Sequence, residues 1–139
     1  MTLMQILTFA AGGVVVVVVA GAAILLLRRR QREAQIAKFK ERWLLLQKQC
    51  AQPKLWPTIV VDADILIDDV LKALKFKGRG MGERLVSAQR KLSDNDGIWF
   101  GHKLRNKISQ DQMARLYKKD VQAALRAVRQ ALQDLGVLS

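Results

Sequence analysis

One cysteine, one histidine, one tyrosine and two prolines are spread over 139 residues, and no charged side chain occurs before position 28. Each scarcity excludes something. A lone cysteine, Cys50, forbids an intrachain disulfide and agrees with a reducing, cytoplasmic setting. One histidine with one cysteine leaves almost no route to a structural zinc site within a single chain. No segment alternates polar and apolar residues with period two, so strands are not expected. There is no internal repeat and no Gly/Ser linker. The two prolines, Pro53 and Pro57, stand close together and break a helix only there.

The missing charge defines the most prominent stretch, residues 3 to 27, LMQILTFAAGGVVVVVVAGAAILLL. As a helix it rises about 37 Å, against a hydrocarbon core of about 30 Å. A secretory signal peptide needs a basic n-region and a shorter apolar core. Here no Lys or Arg precedes the run, and Arg28, Arg29, Arg30 and Arg32 follow it. A helix apolar on every face would need a large protein around it to be a buried core helix, and the rest of the chain is too small. Val14 to Val19 favour strand in water, but in lipid the cost of unsatisfied backbone groups enforces a helix. Gly13 and Gly21, eight residues apart, give only a weak dimerisation pattern. The stretch therefore reads as a transmembrane anchor. All flanking positive charge lies C-terminal to it, which predicts an outer N-terminus and a cytoplasmic C-terminal domain.

Lys and Arg number 24 against 12 Asp and Glu, a net charge of +12. Residues 28 to 52 hold eight basic and two acidic side chains, and residues 53 to 139 hold sixteen and ten, so each part is +6. The density is highest beside the apolar run. Basic residues next to a membrane gain about 1 kcal/mol each from an anionic leaflet. Arg28, Arg29, Arg30 and Arg32 are thus read as contacts to anionic headgroups, with a nucleic-acid patch as the sharper alternative. The expected organisation is an anchor over 1–27, a basic juxtamembrane helix over 28–52 and one small domain over 53–139.

The chain after the anchor is helical in pattern. Residues 28 to 51 lack Gly and Pro, which predicts that the anchor continues as one rod. Ile36, Phe39, Trp43 and Leu46 make one apolar stripe, and Trp43 with Leu44 to Leu46 is expected to dock on the domain. Glu33 is expected to face Ala37, without a cation. Residues 56 to 75 predict a helix with Trp56, Ile59, Val60, Ala63, Leu66, Ile67, Val70, Leu71 and Leu74 inward, ended by Gly78 and Gly80. Shorter helices are expected from Met81 to Lys91, with Met81, Leu85 and Ala88 inward, and to Ile108 after an N-cap in Ser93-Asp94-Asn95-Asp96. Residues 109 to 116 read as a loop. A last helix from Tyr117 to Leu135 has Val121, Ala124, Leu125, Val128, Ala131 and Leu132 inward and Gly136 as its stop. The fold class is all-α, a bundle of about four helices.

Chemistry-bearing residues are few. Lys75, Lys77 and the run Gly78-Arg79-Gly80-Met81-Gly82 lack the P-loop pattern and read as a turn. Asp62, Asp64, Asp68 and Asp69 read as solvated or paired with basic side chains, in preference to metal ligands; no metal or cofactor is expected. His102 and Arg105 lie one turn apart on one face, with Asn106 one turn beyond His102. Polar residues on an inward stripe call for a buried partner, and Asp62 or Asp64 would suit Arg105 in a charge-assisted pair that fixes helix register.

Arg105-Asn106-x-Ile108-Ser109, late in a small helical bundle, resembles the HEPN superfamily, whose members often carry Arg-Asn-x-x-Ala-His. That resemblance implies either a ribonuclease using the motif Arg and His at a dimer interface or a non-catalytic RNA- or nucleotide-binding module. Asp62-x-Asp64, the turn Met81-Gly82-Glu83-Arg84-Leu85, and Trp99 followed by His102-Lys103-Leu104-Arg105-Asn106 also resemble a group of small uncharacterised proteins of reduced-genome, candidate-phylum bacteria. Many of them are membrane-anchored, and the similarity covers roughly residues 55 to 135. The motif histidine aligns with Gln110, which cannot exchange a proton near neutral pH. Ribonuclease activity is therefore not expected, which leaves Arg105 and Asn106 as buried structural residues or as a phosphate contact. The expectation is a membrane-anchored, non-catalytic interaction module that contacts a lipid bilayer with anionic headgroups and a protein partner or a second copy. The alternative is a membrane-tethered RNA- or nucleotide-binding domain. A third reading makes the domain a passive cap on an anchor that works inside a membrane complex.

Overall fold

The structure, a computed structural model, describes residues 1–111 and 113–139. Every regular element among them is helical. The helices are α1 (Leu3–Gln49), α2 (Trp56–Ala73), α3 (Met81–Ala88), α4 (Asn95–Gln110) and α5 (Lys118–Asp134), with one 3-10 turn at Pro53–Leu55. The chain forms two compact units, Met1–Ile36 and Ala37–Ser139.

The first unit is helical throughout its apolar stretch because nothing in it breaks a helix. Thr2 and Gln5 form a capping box at its start: the Gln5 amide donates to Thr2 Oγ1, and the Thr2 amide donates to Gln5 Oε1. The most apolar window has a mean hydropathy of 2.7 and no buried residue, so this is a helix long and apolar enough to cross a membrane. Arg28, Arg29, Arg30 and Arg32 are exposed. Glu33 departs from expectation. It turns back one turn and accepts from Arg29 Nε at 3.2 Å, because the preceding turn supplies the cation that the following one lacks.

The second unit takes in the last turns of α1. Phe39, Trp43 and Leu46 recur at spacings of four and three and are buried in the core, whereas Leu44 and Leu45 remain exposed. Arg42 Nη1 donates to Asp69 Oδ2 at 2.9 Å and ties this end of α1 to α2. Pro53 and Pro57 end one helix and open the next, and Trp56 Nε1 donates to the Cys50 carbonyl across the break.

α2 is the central element and packs on α3, α4 and α5. Leu66, Ile67 and Leu71 are wholly buried, as are Leu85 of α3 and Leu132 of α5. Full burial of such a side chain contributes about 1.5–3 kcal/mol. Leu74, expected inward, is exposed because the helix has ended at Ala73. The stop is not glycine but Lys75, at φ 64°, with the Phe76 amide bonded to the Leu71 carbonyl as in a Schellman motif. Gly78 serves a different purpose. A Cβ there would lie 2.7 Å from the Arg84 backbone nitrogen. α3 ends at Ala88, earlier than expected. The Asn95 side-chain amide donates to the carbonyls of Gln89 and Leu92 and holds the turn after it.

α4 opens where expected, with Asp94 accepting from the Gly97 amide at 2.9 Å. It runs on through Gln110, so the loop expected over 109–116 begins two residues later; Gln112 lies outside the described residues. α4 and α5 pack antiparallel, Gly97 beside Ala127 and Gly101 beside Ala124. Gly136, at φ 80°, ends α5 as expected.

Candidate functional site

The polar side chains singled out from the sequence meet where α2 faces α4. Asp64 lies on the buried face of α2, between Val60 and Ile67, and is 6% exposed. α4 brings His102 and, three residues later, Arg105 over it. His102 Nδ1 lies 3.0 and 3.2 Å from the two Asp64 carboxylate oxygens. Arg105 Nε stands 3.8 Å from Oδ2 and is buried without a hydrogen-bond partner among the described residues. Arg105 Nη1 donates to Asn106 Oδ1 at 3.3 Å, so Asn106 joins the cluster through Arg105. Asp62 points outward and is exposed; only Asp64 of the two candidate carboxylates belongs here.

Burial pushes the Asp64 carboxyl above its ordinary value. The hydrogen bond and charge of His102 and the charge of Arg105 work against this without cancelling it, and the neighbouring Asp68 adds to the rise. When Asp64 is ionised, His102 Nδ1–H is the donor. Trp99 sets its edge against the same imidazole, ring centres 5.8 Å apart at 77°. A Cβ on Gly82 would sit 3.6 Å from the Trp99 ring, so the start of α3 lies against Trp99 as well. The imidazole is thus fixed by a carboxylate at one nitrogen and an indole at its side. The space beside Asp64, lined by Val60, Ile98, Gly101 and Ala124, amounts to about 10 Å³, room for one water at most.

A second polar pair escaped the sequence reading. Arg84 of α3 is 8% exposed and grips Asp68 with two nitrogens, Nε to Oδ1 at 2.6 Å and Nη2 to Oδ2 at 2.9 Å, while Nη1 donates to the Gly78 carbonyl at 2.8 Å. Lys72 adds a contact at 3.3 Å. Burial tends to raise the Asp68 carboxyl, but Arg84 and Lys72 outweigh it and hold it below its ordinary value. The signal was present, since Arg84 falls on the apolar stripe of Met81, Leu85 and Ala88. The same bonds explain the turn around Gly78, whose carbonyl receives an arginine from within the unit.

With Asp69 bound to Arg42, the four aspartates of α2 are resolved: Asp69, Asp68 and Asp64 face Arg42, Arg84 and Arg105 on three other helices, and Asp62 faces solvent. Cys50 donates from Sγ to the Leu46 carbonyl, and burial pushes its thiol up. Gln110 is the exposed last residue of α4. Between α4 and α5 runs an open groove of about 780 Å³ edged by Asp94, Asp96, Phe100, Asp120 and Arg126. The chain matches no protein-family model, no curated protein and no solved structure.

Proposed function

We propose that the chain is a single-pass protein of the cytoplasmic membrane, its N-terminus outside, whose HEPN-like C-terminal unit is a non-catalytic interaction module. One observation carries the non-catalytic reading. The only histidine has its Nδ1 on a buried carboxylate, next to a space no larger than a water molecule. Gln110, where the resembled family places its proton-transferring residue, has no group that titrates near neutral pH. The long apolar helix followed by exposed arginines supports the anchoring and orientation.

Full-length protein in detergent micelles, incubated with single-stranded RNA, is expected to leave the RNA intact and to recover a bound protein or a second copy on crosslinking. RNA cleavage that disappears in Arg105→Ala would sink the reading. Arg105 also supports the runner-up, a nucleic-acid-binding module. Its side chain is 34% exposed, and its buried Nε has no hydrogen-bond acceptor among the described residues. That alternative requires RNA affinity that falls steeply with salt and depends on Arg105.

A further inference from the structure

We infer that the basic turn between α2 and α3, with the residues that follow α3, is a lipid-contact surface of the second unit, where Lys75, Lys77, Arg79, Arg90 and Lys91 meet the phosphates of an anionic leaflet. The inference rests on the reading of the apolar helix as a membrane anchor. Residues 72 to 91 hold seven basic side chains and one acidic, a net +6 that equals the net charge of the whole stretch 53–139. Arg84 and Lys72 face Asp68. The other five cations are exposed, and none forms an ion pair among the described residues. The backbone that presents them is held from within. The Phe76 amide returns to the Leu71 carbonyl, Arg84 Nη1 donates to the Gly78 carbonyl, and Ser87 Oγ donates to the Lys77 carbonyl at 2.6 Å. Arg90 follows Ser87 by three residues, so the two groups of cations flank one bonded turn.

This surface lies at the end by which the chain enters the second unit. Arg42 of α1 bonds Asp69, and the Cys50 carbonyl just after α1 accepts from Trp56 at the start of α2. The two helices therefore run antiparallel, and α2 ends on the side of the unit's first residue, Ala37. From Arg28 to Ile36 are nine residues, which rise about 13 Å as a helix. The headgroup layer of one leaflet takes up about 5–8 Å. What remains does not exceed the screening length of about 8 Å at physiological salt, so the leaflet's negative potential reaches the cations. Exposed Leu74 adjoins them and suits an apolar interface. The match to nucleic acid is poorer, because Phe76, the one aromatic ring of the segment, packs against the core and offers no face to a base. A second copy would bring the same cations against these. Anchoring supplies the bilayer at high effective concentration.

The test uses the full chain with Cys50→Ser, which keeps a donor toward the Leu46 carbonyl, and Gly80→Cys carrying a small fluorophore; a Cβ at Gly80 meets nothing within 4 Å. A matched protein carries the label at exposed Gln122, next to Val121, which packs with Val60 at the opposite end of the unit. Both go into nanodiscs of phosphatidylcholine alone or mixed with phosphatidylglycerol, with lipids spin-labelled near the headgroup. The Gly80 label is expected to be quenched in anionic discs, and the Gln122 label not. Each of Lys77→Glu and Arg79→Glu is expected to lower the docked-to-undocked ratio by about fivefold or more, and Lys118→Glu to leave it unchanged. Protein that co-elutes with anionic discs but leaves the Gly80 label as bright as in phosphatidylcholine overturns the inference. Equal quenching of the two labels does so too, as does RNA binding that Lys77→Glu abolishes without any quenching. Failure to co-elute with discs would reject the anchoring reading and this inference together, and is distinguishable from an anchored protein with an unquenched turn.

Discussion

A carboxylate in apolar surroundings and one gripped by an arginine answer acid in opposite directions, and α2 carries one of each a turn apart. Asp64 has a folded-state pKa raised by burial, so its contribution to stability is fullest below about pH 4 and declines as pH rises through the raised value. Asp68 is held below its ordinary value by Arg84 and Lys72, so its contribution is present above about pH 4 and is lost as pH falls through the lowered value. Thermal melts between about pH 3 and pH 7 should show this in two variants. The advantage of wild type over Asp64→Asn should shrink as pH rises, and its advantage over Asp68→Asn should grow. Parallel profiles would reject the assignment. Asp64→Ala should cost about 1–3 kcal/mol at neutral pH, because His102 Nδ1 and Arg105 Nε would be left buried without a carboxylate. Much of this cluster was legible in the sequence. His102 and Arg105 are polar residues on an inward stripe, and such residues call for a partner. Trp99 was not legible as part of it, because an edge contact across one helical turn depends on ring orientation.

Elements meet closely only where their surfaces are small, and the α4–α5 seam shows the tolerance. A Cβ on Gly101 would sit 3.5 Å from the Ala124 Cβ, an ordinary contact. Gly101→Ala should therefore hold or raise stability, by up to about 1 kcal/mol from helix propensity. Gly101→Leu should force the helices apart and lower stability by about 1–3 kcal/mol. Urea unfolding followed by circular dichroism measures both, and equal losses in the two variants would refute this account of the seam. The four helices from Trp56 onward stand where the apolar period places them, since a stripe that repeats at 3.6 residues buries itself. Their ends were less legible. Gly78 resembles a helix stop, yet Lys75 takes the left-handed position and Gly78 is needed for the close approach of Arg84. Which of several candidates turns is decided by packing, which a local pattern does not contain.

On the scale of the whole molecule, charge is absent from one end and in excess everywhere else. If the apolar helix spans a bilayer, an arginine at its centre should disturb it by about 2.5–3.5 kcal/mol. Val15→Arg is thus expected to move protein into the alkaline-carbonate supernatant, whereas Leu44→Arg, on an exposed face of the second unit, should leave it in the membrane pellet. Equal retention of both would argue against spanning. The junction of the two units, between Ile36 and Ala37, was not legible as a boundary. It falls inside a stretch of good helix formers, and no proline or glycine marks it. What distinguishes its two sides is that Phe39, Trp43 and Leu46 find a core to enter. The same partition has an optical consequence. All three tryptophans and the one tyrosine lie after position 36, and the first unit holds neither. Tryptophan and tyrosine absorption and fluorescence therefore originate in the second unit, so an unfolding curve recorded from them in micelles or in lipid reads that unit alone and leaves the apolar helix dark.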